Sequence, residues 1–178
     1  GLVNHHATTL AGIANHPAAQ ACAARGPEWV VPSWDELTTM YTNRASAPAG
    51  TYILSGTTAS RYWSSTEFTT DPRRGTYRNF DAGGTGDALK TAAYNVHCIR
   101  YSREEPRVYQ DPCASGAPTI GTMCADGAVY AGALDGKDVY FESTVSANNV
   151  AYKTAATFTT GTNTIGDPVQ ARLAMEFA

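Results

Sequence analysis

The chain has 178 residues, a formal net charge of −3 at pH 7 and only 16% charged residues. This length suits one domain or slightly more, and the weakly negative charge argues against nonspecific nucleic-acid binding. The sequence has no apolar stretch long enough to cross a bilayer, so we expect no membrane insertion.

The cysteine pattern indicates an oxidising compartment. None of the four cysteines lies in a C-x-x-C pair, and no histidine near them has the spacing of a zinc site. Two disulfides are the natural interpretation, with four buried thiols as the alternative. Abundant small polar residues also favour an extracellular or cell-surface, β-rich protein. The chain starts at Gly1 without a signal-type segment, which suggests a mature product or part of a longer protein.

Two helices are predicted near the start of the chain. Pro17 suits the first turn of a helix that runs to Ala24. A second helix is predicted over about Trp34–Asn43, because Ser33 and Glu36 have the spacing of a capping box. Its apolar residues recur at the helical period and are Trp34, Leu37, Met40 and Tyr41.

Alternating, aromatic or β-branched segments predict strands through most of the remaining chain. They are Thr51–Ser55, Arg61–Phe68, Thr76–Asp81, Ala92–Tyr101, Ala128–Ala131, Val139–Glu142 and Val150–Thr160. The Gly-rich stretch Ala82–Asp87 is predicted to be a loop, and Asp135-Gly136-Lys137 a hairpin turn. The charged stretch Ser102–Pro106 indicates a linker, so we expect an α+β chain with a core over residues 1–105 and a β-rich extension over residues 106–178.

Several segments of residues 1 to about 101 resemble a bacterial family in order and spacing. They are His16-Pro17-Ala18-Ala19-Gln20-Ala21-Cys22, Gly26-Pro27-Glu28-Trp29-Val30-Val31-Pro32, Asp35-Glu36-Leu37, Tyr41-Thr42-Asn43-Arg44, Tyr62-Trp63-Ser64-Ser65-Thr66-Glu67 and Val96-His97-Cys98-Ile99-Arg100. The family is the extracellular domain at the C-terminus of the Legionella collagen-like adhesin, with a paralogous group in Fibrobacter. The resemblance implies a variant of the C-type lectin fold, with two helices, a small antiparallel sheet and long loops. It also implies a disulfide between Cys22 and Cys98, which leaves Cys113 to pair with Cys124.

The order of the segments departs from that of the family. The family domain begins with a strand before its first helix, whereas this chain begins at that helix. The strand-like beginning is found near the other end, at Cys124–Gly132 and Val139–Phe141. Three interpretations follow: the extension completes its own core, it completes the core of the next subunit by strand addition, or the chain is one period of a tandem array.

The second and third interpretations predict a fibre, because a head-to-tail contact that does not close extends indefinitely. The expected function is therefore that of an extracellular structural subunit or repeat of a bacterial surface filament. Its partner would be a second copy of itself, and no catalytic residue or cofactor is predicted. The residues expected at the assembly contact are Val129, Tyr130, Val139, Tyr140 and Phe141.

A glycan-binding adhesin or phage-type receptor-binding module is the alternative function. Guanidinium and aromatic groups can bind anionic or neutral sugars. The candidate ligand-binding residues are Arg73, Arg74, Tyr77, Arg78 and Asn79. A calcium ion could lie among the oxygens of Asp81–Asp87, but this stretch lacks the dense acidic alternation of a calcium loop.

Overall fold

Both predicted helices are present in the structure, a computed structural model that describes residues 13–26, 28–44, 61–101, 113, 118–134, 136–143 and 147–155. Helix α1 is Pro17–Ala23 and follows a short 3-10 turn over Ile13–Asn15. Helix α2 is Trp34–Asn43. The helix predictions are confirmed to within one residue at each end.

The predicted capping box fixes the start of α2. Glu36 N donates to Ser33 Oγ at 3.4 Å, and Ser33 N donates to Glu36 Oε2 at 2.7 Å. The Tyr101 hydroxyl donates to the other oxygen of the same carboxylate. Glu36 is fully buried, so these donors replace the water that its charge loses.

Within the described residues, eight strands form two sheets. Their bounds are β1 Arg61–Glu67, β2 Arg74–Asn79, β3 Thr85–Leu89, β4 Ala93–Val96, β5 Ile99–Tyr101, β6 Ala128–Leu134, β7 Lys137–Glu142 and β8 Ala147–Ala151. The first sheet has the order β3-β2-β1-β4-β8 and the second has the order β5-β7-β6. All pairings are antiparallel except that of β1 with β4. The chain is therefore a mixed α+β protein, as predicted.

The predicted loop Ala82–Asp87 is wrong in its second half, because β3 begins at Thr85 and pairs with β2. Gly86 lies opposite Tyr77 in this pairing. A Cβ atom on Gly86 would lie 2.6 Å from the Tyr77 hydroxyl oxygen. The glycine that suggested a loop is thus a place where a tyrosine packs on the strand backbone.

The single strand predicted over Ala92–Tyr101 is two strands in two different sheets. The chain leaves the first sheet after Val96, and Ile99 begins the strand in the second. Between them, Cys98 is bonded to Cys22 of α1 with a Cα–Cα distance of 5.4 Å. This bond holds the crossing point beneath the helix, and periodicity alone cannot detect such a change of sheet.

The predicted strand over Val150–Thr160 is wrong in its bounds. Strand β8 begins earlier, at Ala147, and ends at Ala151, after which Tyr152 turns into the core. The rest of that segment beyond residue 155 lies outside the described residues, as does the predicted strand Thr51–Ser55.

Two packed clusters fill the interior. One surrounds Trp63 and contains the Cys22–Cys98 bond and Tyr152. The other contains the buried face of α2, namely Leu37 and Met40, with apolar side chains of both sheets. Strands β6 and β7 contribute to both clusters, and Val150 of β8 packs against the first. The described part of the extension therefore shares its core with the region over residues 1–105.

Candidate functional site

Two of the candidate ligand-binding arginines are neutralised by neighbouring carboxylates. The Nε and Nη2 atoms of Arg73 each donate to Asp71 at 3.0 Å, and these hydrogen bonds lower the pKa of Asp71. Arg74 pairs with Asp87 across the β2–β3 junction. The Asp87 carboxylate is therefore bound to a guanidinium at one end of the stretch considered for calcium.

The remaining three candidates do not form one site. Asn79 accepts hydrogen bonds at its side-chain oxygen from the backbone N–H groups of Asp81 and Ala82, at 2.9 and 3.4 Å, so it stabilises the turn after β2. Tyr77 and Arg78 are adjacent on a strand and contact different neighbours, as the alternation of strand side chains requires. Asn79 therefore belongs to a turn, and Tyr77 and Arg78 lie in two different environments.

Tyr77 belongs to an aromatic group that the sequence analysis did not find. Its ring lies 4.9 Å from that of Tyr94, in an edge-to-face arrangement. The Arg61 guanidinium lies 5.2 and 5.4 Å from these two ring centroids and donates to the Tyr94 hydroxyl at 3.1 Å. The three residues come from β2, β4 and β1, so no local pattern joins them.

Arg78 lies against α2 with a second cation beside it. Its Nη1 donates to Thr38 Oγ1 at 3.1 Å, and its guanidinium lies 4.3 Å from the Tyr41 ring centroid. The Arg44 guanidinium lies over the same ring, with its central carbon 3.2 Å from the ring centroid. Burial and the Arg44 charge lower the pKa of Arg78. In the part of the chain that the structure describes, neither guanidinium pairs with a carboxylate.

The five predicted assembly residues lie in the interior of the single chain. Val129, Val139 and Phe141 pack in the cluster beneath α2 and are at most 1% exposed. Tyr130 and Tyr140 lie on the other side of the same hairpin, with their ring centroids 5.4 Å apart. Their burial means that the hairpin β6–β7 must always have a partner to cover both of its faces.

Two strand pairings join the described part of the extension to the described part of the core. Strand β7 pairs with β5, with Arg100 opposite Tyr140, and β8 pairs with β4, with Ala93 opposite Ala151. Each sheet therefore contains strands from both regions. The junction is built from the backbone hydrogen bonds that strand addition uses.

Polar side chains also cross this junction. Arg25, after α1, pairs with Glu142 at the end of β7. Arg100 of β5 lies 2.6 Å from an Asp126 carboxylate oxygen, before β6. The indole N–H of Trp63 donates to the Val150 carbonyl at 3.0 Å. These contacts specify the register of the extension on the core.

The disulfides lie one within each region. Cys22 pairs with Cys98 across 76 residues of sequence, and Cys113 pairs with Cys124 across 11. The sequence has four cysteines, so these two bonds account for all of them. No disulfide joins the core to the extension. The main chain is therefore the covalent connection between the two regions.

His97 occupies a buried position at the same junction. Its ring stacks on Tyr62 with a centroid distance of 5.1 Å and meets the edge of Phe141 of β7 at 5.7 Å. No group among the described residues forms a hydrogen bond with either ring nitrogen. Burial, and secondarily the Arg25 charge, lower the pKa of His97 to about 3.

No family model, curated protein or solved structure matches this chain. Within the described residues, no helix is long and apolar enough to cross a membrane. The same residues contain no group of three or more His, Cys, Asp or Glu side chains placed to hold a metal ion. The paired disulfides are consistent with an extracellular protein.

Proposed function

We propose that this chain is an extracellular structural unit of a bacterial surface fibre, with a lectin-like core that the extension of a neighbouring unit completes. The proposal rests on the junction between the two regions, which contains two strand pairings and no disulfide. The same pairings can form within one chain or between two chains. The first region resembles an adhesin domain, and the order of this chain is circularly shifted relative to that domain, which supports the exchange between units.

Concentration and connectivity decide between the two forms. In a self-completed unit the hairpin covers its own core, and in an exchanged unit it covers the core of a neighbour. The buried contacts are the same in both forms. The forms differ mainly in the path of the connecting segment and in the effective concentration of the partner. A single dilute chain favours self-completion. A tandem array or a crowded cell surface favours completion by a neighbour, and repeated exchange in one direction gives a fibre.

Light scattering coupled to size-exclusion chromatography tests this proposal with the full chain. The sample is unfolded with its disulfides intact, refolded over a wide concentration range, and then analysed at a single dilution. We expect a ladder of multimers that grows with the refolding concentration and persists after dilution. A monomer at every refolding concentration would contradict the proposal.

A glycan-binding module is the second candidate, favoured by the arginine pair beside Tyr41. Arg44 and Arg78 carry two charges without a carboxylate partner in the described part of the chain. Both guanidinium groups lie over the Tyr41 ring, 3.2 and 4.3 Å from its centroid, and together they can bind an anionic sugar. We expect Arg78→Met to weaken binding on a glycan array at least tenfold. Arg73→Met is the matched control, because Asp71 already neutralises that exposed guanidinium. Equal binding by both variants would contradict this candidate.

A further inference from the structure

A lysine and a glutamate lie in direct contact inside the first sheet. Glu67 is the last residue of β1, and Lys90 directly follows β3. The Lys90 Nζ atom contacts Glu67 Oε1, and both side chains are 0% exposed. The Tyr152 ring covers the amine, with its centroid 5.5 Å from Nζ. Water is therefore excluded from both groups.

The backbone on each side of this pair is fixed. Lys90 N donates to the Arg73 carbonyl, and the Lys90 carbonyl accepts from Lys153 N, both at 3.0 Å. On the other side, the Tyr152 hydroxyl donates to the Ser65 carbonyl at 3.0 Å. These bonds hold the two side chains in one arrangement. In well-oriented intramolecular reactions, such positioning reaches effective concentrations of about 10⁵–10⁸ M.

The surroundings favour the uncharged forms of both groups. Separated charges in a dry interior have a high desolvation cost, so transfer of the proton from the amine to the carboxylate is favoured there. Burial and the nearby Lys153 charge lower the pKa of Lys90 to about 7. A neutral amine is a nucleophile, whereas an ammonium group is not.

We propose that Lys90 and Glu67 form an intramolecular amide bond, which cross-links β1 to the turn between β3 and β4. The Nζ lone pair attacks Glu67 Cδ, the bond from Cδ to its hydroxyl oxygen breaks, and that hydroxyl leaves with one amine hydrogen as water. The products are one secondary amide and one water molecule, and no oxidant or reductant takes part. The amide carries no charge, so the cross-link leaves no ionisable group of this pair in the dry interior.

This bond would be a third covalent cross-link in the chain. It closes the segment between residues 67 and 90, which holds β2 and β3, and it does so within the core region alone. Both partners belong to residues 1–105, and the extension supplies Tyr152 over them whether it comes from the same chain or from a neighbour. The bond is therefore independent of strand exchange. A monomer and a fibre would carry it equally.

Mass spectrometry of the intact, purified full chain tests the proposal. After reduction of the disulfides, the mass should lie one water below the mass calculated from the sequence, a deficit of about 18 Da. Dehydration at the Asp-Gly sequences 126–127 and 135–136 would give the same deficit, so peptide analysis is required. Trypsin should leave residues 62–73 joined to residues 79–100, uncut after Lys90.

Two results would overturn the proposal. One is a full intact mass together with a tryptic cut after Lys90, in protein held folded at neutral pH for several days. The other is a deficit that maps to the Asp-Gly sequences. Lys90→Arg is the control, since it keeps the positive charge and cannot form this amide, and it should have its full calculated mass. The wild-type peptides decide the question even if this variant does not fold.

Discussion

Replacing His97 with Phe should remove an acid-sensitive component of stability. His97 is fully buried between the rings of Tyr62 and Phe141, and both of its nitrogens lack hydrogen-bond partners among the described residues. Phe keeps a flat ring and removes two unsatisfied polar atoms. We therefore expect the Phe variant to be about as stable as the wild type at pH 7, within about 1 kcal/mol.

The size of the effect follows from the pKa of this side chain. Burial lowers it from 6.5 to about 3 in the folded chain. The unfolded chain therefore binds a proton below pH 6.5 that the folded chain does not bind until about pH 3. Stability falls with decreasing pH across this window, by about 1.4 kcal/mol per pH unit for a single group. Between pH 7 and pH 5 the loss is about 2 kcal/mol.

Urea unfolding of both proteins at pH 7, 6 and 5 measures this loss. Other titrating groups affect both proteins alike, so the difference between the two free energies of unfolding isolates His97. We expect the Phe variant to gain about 2 kcal/mol relative to the wild type on going from pH 7 to pH 5. Parallel pH profiles would refute the reasoning.

Two further predictions concern the disulfides and the capping box. Replacing Cys22 and Cys98 with Ala should reduce the free energy of unfolding by about 4.5 kcal/mol, against about 3 kcal/mol for Cys113 and Cys124, because the first pair closes a longer loop. Equal losses in urea unfolding would contradict this ranking. Ser33→Ala should cost about 1 kcal/mol through the lost cap, with Ser33→Thr as the control that keeps the hydroxyl; a thermal melt unchanged by Ser33→Ala would argue against the cap.

The helices could be predicted because their signals are local. Pro17 marks the start of α1, and Ser33 with Glu36 marks the start of α2. The hairpin β6–β7 was predicted from its turn and its flanking apolar residues for the same reason. The structure adds that Glu36 also accepts from Tyr101, which lies 65 residues away in sequence.

The features that periodicity could not predict depend on distant partners. The Cys22–Cys98 bond lies at the split between β4 and β5, and Tyr77 packs on Gly86 of β3. The candidate ligand-binding residues are neighbours in sequence, but neighbours on a strand face opposite ways.

The buried pair Glu67–Lys90 shows the same limit. A charged residue at the end of a strand is ordinarily solvated, and neither segment marks its charged side chain as buried. Only the sheet order brings the two side chains together under Tyr152.

Cysteine trapping between two chains tests the central claim most directly. Ala93 and Ala151 are paired across β4 and β8. An affinity-tagged Ala93→Cys chain and an untagged Ala151→Cys chain are refolded together at high concentration and oxidised. We predict a covalent dimer of the two chains on a non-reducing gel, confirmed by its mass.

Ala82→Cys replaces Ala93→Cys in the matched control, because Ala82 is exposed and lies outside the β4–β8 pairing. A double variant carries Ala93→Cys and Ala151→Cys in one chain. A disulfide between these two cysteines within a monomer reports self-completion. If that variant closes only within monomers, and the mixed chains give no more covalent dimer than the control, the extension completes its own core and the account of assembly by strand exchange is contradicted.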